Sequence, residues 1–265
     1  PTVYMKLADE IPVVDSTDKA DAVKVSQSKA DFPMILGKID LQLNDGGLVI
    51  ENNTGQTVEF RQIAAKVDLK GLNRNNKFQF LASVASGASE GSSLISASGQ
   101  ILPKSDASGW SLAGTSGDFN VQIDSLYLAS LQPLFDLAGA GVDAKGIVDA
   151  NMQVALDKGV ITEIIGRVDC KDIDAGIAAL DGDRVKSTII QADIEIAGSD
   201  DAYNVNRLDV ISDWLVVNGS GKIGKSEGLE GDFEARFNLD IAKAAQSMPK
   251  TFYIREGVNI TDGTF

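Results

Sequence analysis

The chain has 265 residues, with 38 acidic side chains against 24 Lys and Arg, a formal net charge of −14 and no histidine. That charge repels phosphate backbones, and no basic stripe offsets it, which argues against nucleic-acid binding. The missing histidine removes the usual general base, the Ser-His-Asp triad and most zinc sites; the single cysteine, Cys170, allows no disulfide within the chain. No apolar run reaches the roughly 18–20 residues of a membrane-spanning helix. Hydrophobic residues at 43%, with 26 Gly and 6 Pro, suit a cored protein of strands and turns.

Residues 1–31 read as a lead-in strand or linker, since 8–31 are rich in Asp, Lys and Ser and weakly periodic. From there alternation at period two dominates. Ile39, Leu41 and Leu43 alternate with polar residues, and Asn44-Asp45-Gly46-Gly47 then reads as a hairpin turn. Asn52-Asn53-Thr54-Gly55 is a turn, Ile63 to Leu69 a strand, and Asn73-Arg74-Asn75-Asn76 another turn. Residues 86–109 are Ser/Gly-rich and read as strand edges and loops. Phe119, Val121 and Ile123 form a further one-sided strand.

Asp124 to Ala140 breaks the rhythm with leucines at helical spacing; Pro133 within it predicts a short helix that starts near Leu131 or Gln132. Val148 to Leu156 alternates again, followed by Asp157-Lys158-Gly159 as a tight turn. Ile190 to Ile196 and Phe233 to Leu239 are strands, with a turn at Gly198-Ser199-Asp200-Asp201. Asp240 to Met248 predicts a second short helix, ended by Pro249, and Thr261-Asp262-Gly263 another hairpin turn. Each strand has one apolar and one wet face, the mark of antiparallel sheet covered on one side. Leu41 to Leu48 echoes Val258 to Phe265 around a shared Asp-Gly, and both chain ends fall mid-pattern, so the sequence reads as a segment of a longer repetitive protein.

Gly219-Ser220-Gly221-Lys222-Ile223-Gly224-Lys225-Ser226 satisfies the phosphate-loop pattern G-x-x-x-x-G-K-[ST]. That loop needs a helix directly behind it, whereas this sequence continues into the alternating Phe233-Ala235-Phe237. The stretch reads instead as a Gly-rich turn between strands. The acidic clusters Asp15-Asp18-Asp21, Asp169-Asp172-Asp174 and Asp181-Asp183 lack EF-hand spacing and read as solvated faces. Cys170, with no histidine to activate it, reads as a structural thiol. Asn52-Asn53-Thr54, Asn218-Gly219-Ser220 and Asn259-Ile260-Thr261 are glycosylation patterns that arise readily by chance in such a sequence. No metal, cofactor or catalytic residue is expected.

Four passages resemble a known group: Leu126-Tyr127-Leu128 through Leu131-Gln132-Pro133-Leu134; Gly141-Val142-Asp143-Ala144-Lys145-Gly146 running into Ile147-Val148-Asp149-Ala150; Leu156 to Ile161; and Ser212 to Gly221. Their style, carried by no invariant motif, resembles the AsmA-like superfamily of Gram-negative envelope proteins, which includes AsmA, TamB and YhdP. The likeness spans most of residues 32–265. It implies a mostly β fold: long antiparallel strands in a twisted, half-open, trough-like sheet with one or two short helices. It divides the chain into a repeat unit at 32–250 and the start of the next repeat at 251–265. It also implies kinship with chorein-type bridge-like lipid-transfer proteins, a periplasmic location, membrane anchoring outside this segment, and no catalytic residue.

The resulting expectation is a non-enzymatic segment whose apolar groove shields phospholipid acyl chains, with neighbouring repeats and membranes as its other partners. Candidate groove residues are Ile39, Leu41, Leu43, Val67, Leu69, Val121, Ile123, Val154, Ile194, Ile196, Phe233 and Phe237. Each would serve equally well as ordinary core. The alternative is a structural or adhesive repeat, a sandwich of two sheets sealed on each other. A carbohydrate-active protein ranks last, because aromatics are only 6% and Trp110 and Trp214 lie far apart in sequence.

Overall fold

The structure is a computed structural model, and it describes residues 2–6, 38–71, 73–85, 93–106, 109–110, 114–177, 180, 182–199, 201–225, 231–255, 257–258 and 260–264. The lead-in 8–31 and the cluster Asp15-Asp18-Asp21 lie outside them, as do Asp181, Ser226, Asn259 and Phe265.

The strands are β1 (Thr2–Lys6), β2 (Ile39–Glu51), β3 (Thr57–Leu69), β4 (Asn76–Ala85), β5 (Ser93–Leu102), the two-residue pair β6 (Ser105–Asp106) and β7 (Gly109–Trp110), and β8 (Ser116–Tyr127). A 3-10 turn at Leu128–Leu131 leads into α1 (Gln132–Leu137). Then come β9 (Val142–Asp157), β10 (Val160–Ile177), β11 (Arg184–Gly198), β12 (Ala202–Ser212), β13 (Leu215–Gly224), β14 (Gly231–Leu239) and α2 (Ile241–Ser247).

All but β6 and β7 form one twelve-stranded sheet, ordered β1-β2-β3-β4-β5-β8-β9-β10-β11-β12-β13-β14. The β1–β2 pair is parallel, and the other eleven strands form an antiparallel meander in an open, uncurled sheet. The expected mostly β architecture of long antiparallel strands with two short helices is therefore present. Two-residue hairpins hold it together where the backbone demands them. Lys158 and Gly159 take φ of 51° and 81°, and their neighbours Asp157 and Val160 pair directly.

Several turn expectations need correction. Asn44 to Gly47 makes no hairpin, because β2 runs through it. Asp45 at φ 53° sits instead in a bulge, where the register with β3 slips between Leu43 and Gly46. An Asp-Gly pair tolerates positive φ in either setting, and cross-strand register decides which is built. Three more bulges centre on Gln62, Ser125 and Asp172, each at positive φ beside a register shift. Gly219 to Gly224 is strand β13 rather than a turn, and the next described element is strand β14. Among the described residues Thr261-Asp262-Gly263 joins no pair of strands; Thr264 makes an isolated antiparallel bridge to Asp240.

The core sits at one end of the sheet. Val58, Val84 and Leu126 are buried there, with Ile50, Phe60, Ile95, Ile123 and Val148 around them and Leu131 and Leu134 of the helical turn packed on top. Asn52, also buried, ties α1 to the β2–β3 loop: its amide donates to Asp136 Oδ2 at 2.9 Å and to Gln56 Oε1 at 3.1 Å. Helix α2 lies at the same end of the strands. Asp240 caps it by accepting from Lys243 N, and Lys243 Nζ reaches the Asp213 carbonyl in the β12–β13 turn.

Candidate functional site

The register carries the sequence alternation across the whole sheet. One row of directly paired residues runs Leu41, Val67, Phe78, Gly99, Phe119, Val154, Ile164, Ile196, Val205, Gly221, Phe233. The next row, two residues along each strand and three on β12 where a bulge intervenes, runs Leu43, Ala65, Phe80, Ala97, Val121, Met152, Gly166, Ile194, Leu208, Gly219, Ala235. A third runs Ile95, Ile123, Ala150, Val168, Ala192, Val210, Val217, Phe237. Not one member of the three rows is charged. At the strand spacing of about 4.8 Å the first two extend for roughly 48 Å across the sheet, and the third, from β5 to β14, for roughly 34 Å.

All twelve candidate groove residues fall on this face. Ten stand in the three rows, and Ile39 and Leu69 pair with each other one step beyond the first. Phe78 and Phe80 escape the sequence alternation, and Phe119 stands in the alternation with Val121 and Ile123 but outside the candidate groove residues; their rings thicken the face between β4 and β8, and Phe78 and Phe119 have centroids 5.8 Å apart. The Phe78-x-Phe80 spacing is the available signal, obscured by Leu81 immediately after it.

Among the described residues the face is uncovered over most of its length. Leu41 is 54% exposed, Met152 39%, Phe233 43% and Phe237 52%. None of the twelve candidates is fully buried; Val58, Val84 and Leu126 cluster at the end under α1, while Val205 of the first row is buried on β12. A residue normally sealed in a core is worth about 1.5–3 kcal/mol by burial, so a face of this size left in water forfeits much of its stabilisation.

The opposite face is polar and internally paired. Arg167 donates to Asp169 at 2.8 Å, and Arg207 bridges Asp209 at 2.5 Å and Asp193 at 3.2 Å. Asn218 donates to Asp209 at 2.8 Å, and Gln191 to Asp169 at 2.8 Å. The Arg167 hydrogen bond holds the Asp169 carboxyl below the usual carboxylate range, and Asn218 and Arg207 do the same for Asp209. Asp174 is likewise held down, by Arg184. The acidic cluster around Asp169 and Asp174 is thus satisfied by arginines, and among the described residues no group of three or more His, Cys, Asp or Glu side chains could hold a metal ion.

Cys170 lies on the apolar face between Val148 and Ile190. Burial, with the charges of Asp169 and Asp149, pushes its thiol pKa up, which makes it a poor nucleophile. Two depressions of about 380 and 220 Å³ share Lys66 and Gln79, and both borders mix polar residues with the edge of the phenylalanine cluster; neither is an apolar chamber. Of the sequon asparagines, Asn52 is buried and hydrogen-bonded, while Asn218 is exposed on the polar face. Among the described residues no helix is long and apolar enough to cross a membrane.

No family model matches the chain, and neither any curated protein nor any solved structure matches it.

Proposed function

We propose that this chain is a lipid-handling segment whose uncovered face shields acyl chains while its paired polar face meets water. One observation carries the reading: two charge-free rows cross the antiparallel sheet from β2 to β14 and a third runs from β5 to β14, yet among the described residues helices cover the face only at one end. Methylene chains are the ligand that such a surface rewards, because they gain from every apolar contact and ask for no hydrogen bond. The rival sealed sandwich requires a second sheet of comparable size, and the described residues form one large sheet. In keeping with the AsmA-like resemblance, the reading has the segment working in a periplasm, non-enzymatically, beside neighbouring repeats and membranes.

The test is to purify the protein from cells without detergent and examine it by native mass spectrometry and lipid extraction. A photo-crosslinking amino acid at Ile194, on the apolar face, is compared with one at Asp193, on the polar face. Co-purified phospholipid captured from Ile194 and not from Asp193 supports the proposal. Protein free of lipid, or equal capture from both positions, overturns it.

A further inference from the structure

Strand β14 ends the sheet: it pairs with β13 on one side, and among the described residues no strand pairs with its other side. Residues 231–238 are all exposed. Edges of this kind are commonly blunted by a proline, a bulge or a covering loop. β14 has no proline, and its register with β13 runs without a shift from Gly231 to Leu239; its charged residues are Asp232, Glu234 and Arg236, and Thr264 meets the outer side one step beyond the strand, at Asp240.

Its sequence is symmetric about Ala235. Phe233 and Phe237 stand two residues to either side, and Glu234 and Arg236, of opposite charge, stand one residue to either side. An antiparallel strand of the same sequence, centred on Ala235, therefore sets Phe233 opposite Phe237 and Glu234 opposite Arg236, twice each. Aromatic and opposite-charge pairs are the favourable cross-strand combinations.

The backbone phase agrees. Asp240 donates its N–H inward to Trp214 O, and Ile241 donates outward to Gly263 O. Counting back by twos from Ile241, the odd residues of the strand, Ala235 among them, direct N–H and C=O away from β13. A two-fold axis at Ala235 thus brings together two residues that can exchange both hydrogen bonds. In the single chain Arg236 Nη2 bonds Glu234 Oε1 at 3.1 Å, but those side chains are 84% and 73% exposed, so the pair contributes little and is readily exchanged.

We infer that β14 is a self-complementary docking edge, and that its partner is β14 of a second copy of this chain. The axis stands perpendicular to the sheet, so the two apolar faces lie on the same side and form one continuous surface. Their helix-covered ends point in opposite directions. The inference stands independently of lipid binding; a neighbouring repeat paired along β14 and this dimer exclude one another.

The test is sedimentation velocity across a concentration series on the whole chain. Wild type is expected to dimerise. Glu234→Arg and Arg236→Glu each set like charges opposite one another twice and weaken the dimer roughly tenfold. Mixed in equal amounts, the two variants restore opposite charges at every pair and recover wild-type association. Ala235→Pro removes an outward N–H that β13 does not use, and is expected to give a monomer with an unchanged circular dichroism spectrum. A wild type that stays monomeric at several hundred micromolar overturns the inference. So does a dimer unaffected by Ala235→Pro, or a mixture no tighter than its separate components.

Discussion

The ring of Phe233 lies across the glycines of β13: a Cβ added at Gly221 would stand 2.8 Å from Phe233 Cδ2 and 2.6 Å from its Cα. One at Gly219 would meet Phe233 Cζ at 2.9 Å. The glycines that imitate a phosphate loop are thus the seat of an aromatic side chain on the apolar face. Gly221→Ala is expected to destabilise by about 2 kcal/mol, because the obstacle includes backbone that cannot swing aside. A melting temperature lower by about 6 °C is the expected reading, and an unchanged one would refute the packing account.

Asn76 builds the turn between β3 and β4. Its Oδ1 accepts from Lys70 N at 2.6 Å and from Gly71 N at 3.2 Å, while Nδ2 donates to Gly71 O at 3.1 Å and Arg74 O at 2.9 Å. Asn76→Ala leaves these backbone groups without their partner in a buried setting and is expected to cost about 2–3 kcal/mol. Asn76→Asp retains the acceptor but loses both donated bonds, so urea unfolding should place it between the wild type and the alanine variant.

Ser93 supports the bulge at Ser125. It is fully buried, donates to Ser125 O at 2.8 Å and accepts from Tyr127 N at 3.2 Å. Ser93→Ala is expected to cost about 2 kcal/mol. Amide exchange should show the loss concentrated around Ser125 to Tyr127, with the distant β12–β13 hairpin unaffected.

Asp213, with the α2 cap Asp240, contributes to the pH response at the α2 end. The Thr188 N–H, followed by the Thr188 hydroxyl and the Ile189 N–H, holds its carboxyl below the ordinary range; Asp169, Asp174 and Asp209 are lowered as well. A carboxyl depressed on folding contributes fully above its unfolded value of about 4 and loses that contribution as pH falls through its folded value. Thermal melts should therefore show no loss from these groups between pH 7 and 5 and a decline below about pH 4. Asp213→Ala should lower stability by about 1 kcal/mol at pH 7 and flatten the acid decline. An equal effect at pH 7 and pH 2.5 would contradict this assignment.

The apolar face was legible because its alternation is long and repeated: Val148 to Leu156 and Ile190 to Ile196 identify their buried-side positions by period alone. The bulges were not, since Asp45 and Gly46 carry the same local chemistry in a bulge as in a hairpin, and only pairing with Ile63 on β3 distinguishes them. Leu81, Ile165 and Ile211 hid part of the pattern. These three apolar residues stand exposed on the polar face, where their cross-strand neighbours are Ser96, Glu195 and Gln191. The edge symmetry of β14 lay in the sequence throughout, but it gained meaning only once the strand proved to end the sheet.

Beyond the β1–β2 pair, every strand of the sheet lies beside its nearest sheet neighbours in sequence, and among the described residues nothing joins the last strand to the first. Such a molecule has no closure condition. A hairpin could be gained or lost at almost any point, and the strands on either side would keep their partners, much as repeat arrays grow by whole units. The same locality lets each strand dock on one already made, so assembly can proceed with synthesis from the amino end without waiting for a distant partner. The span of the apolar surface is then set by the number of hairpins, which makes chain length itself a means of measuring distance.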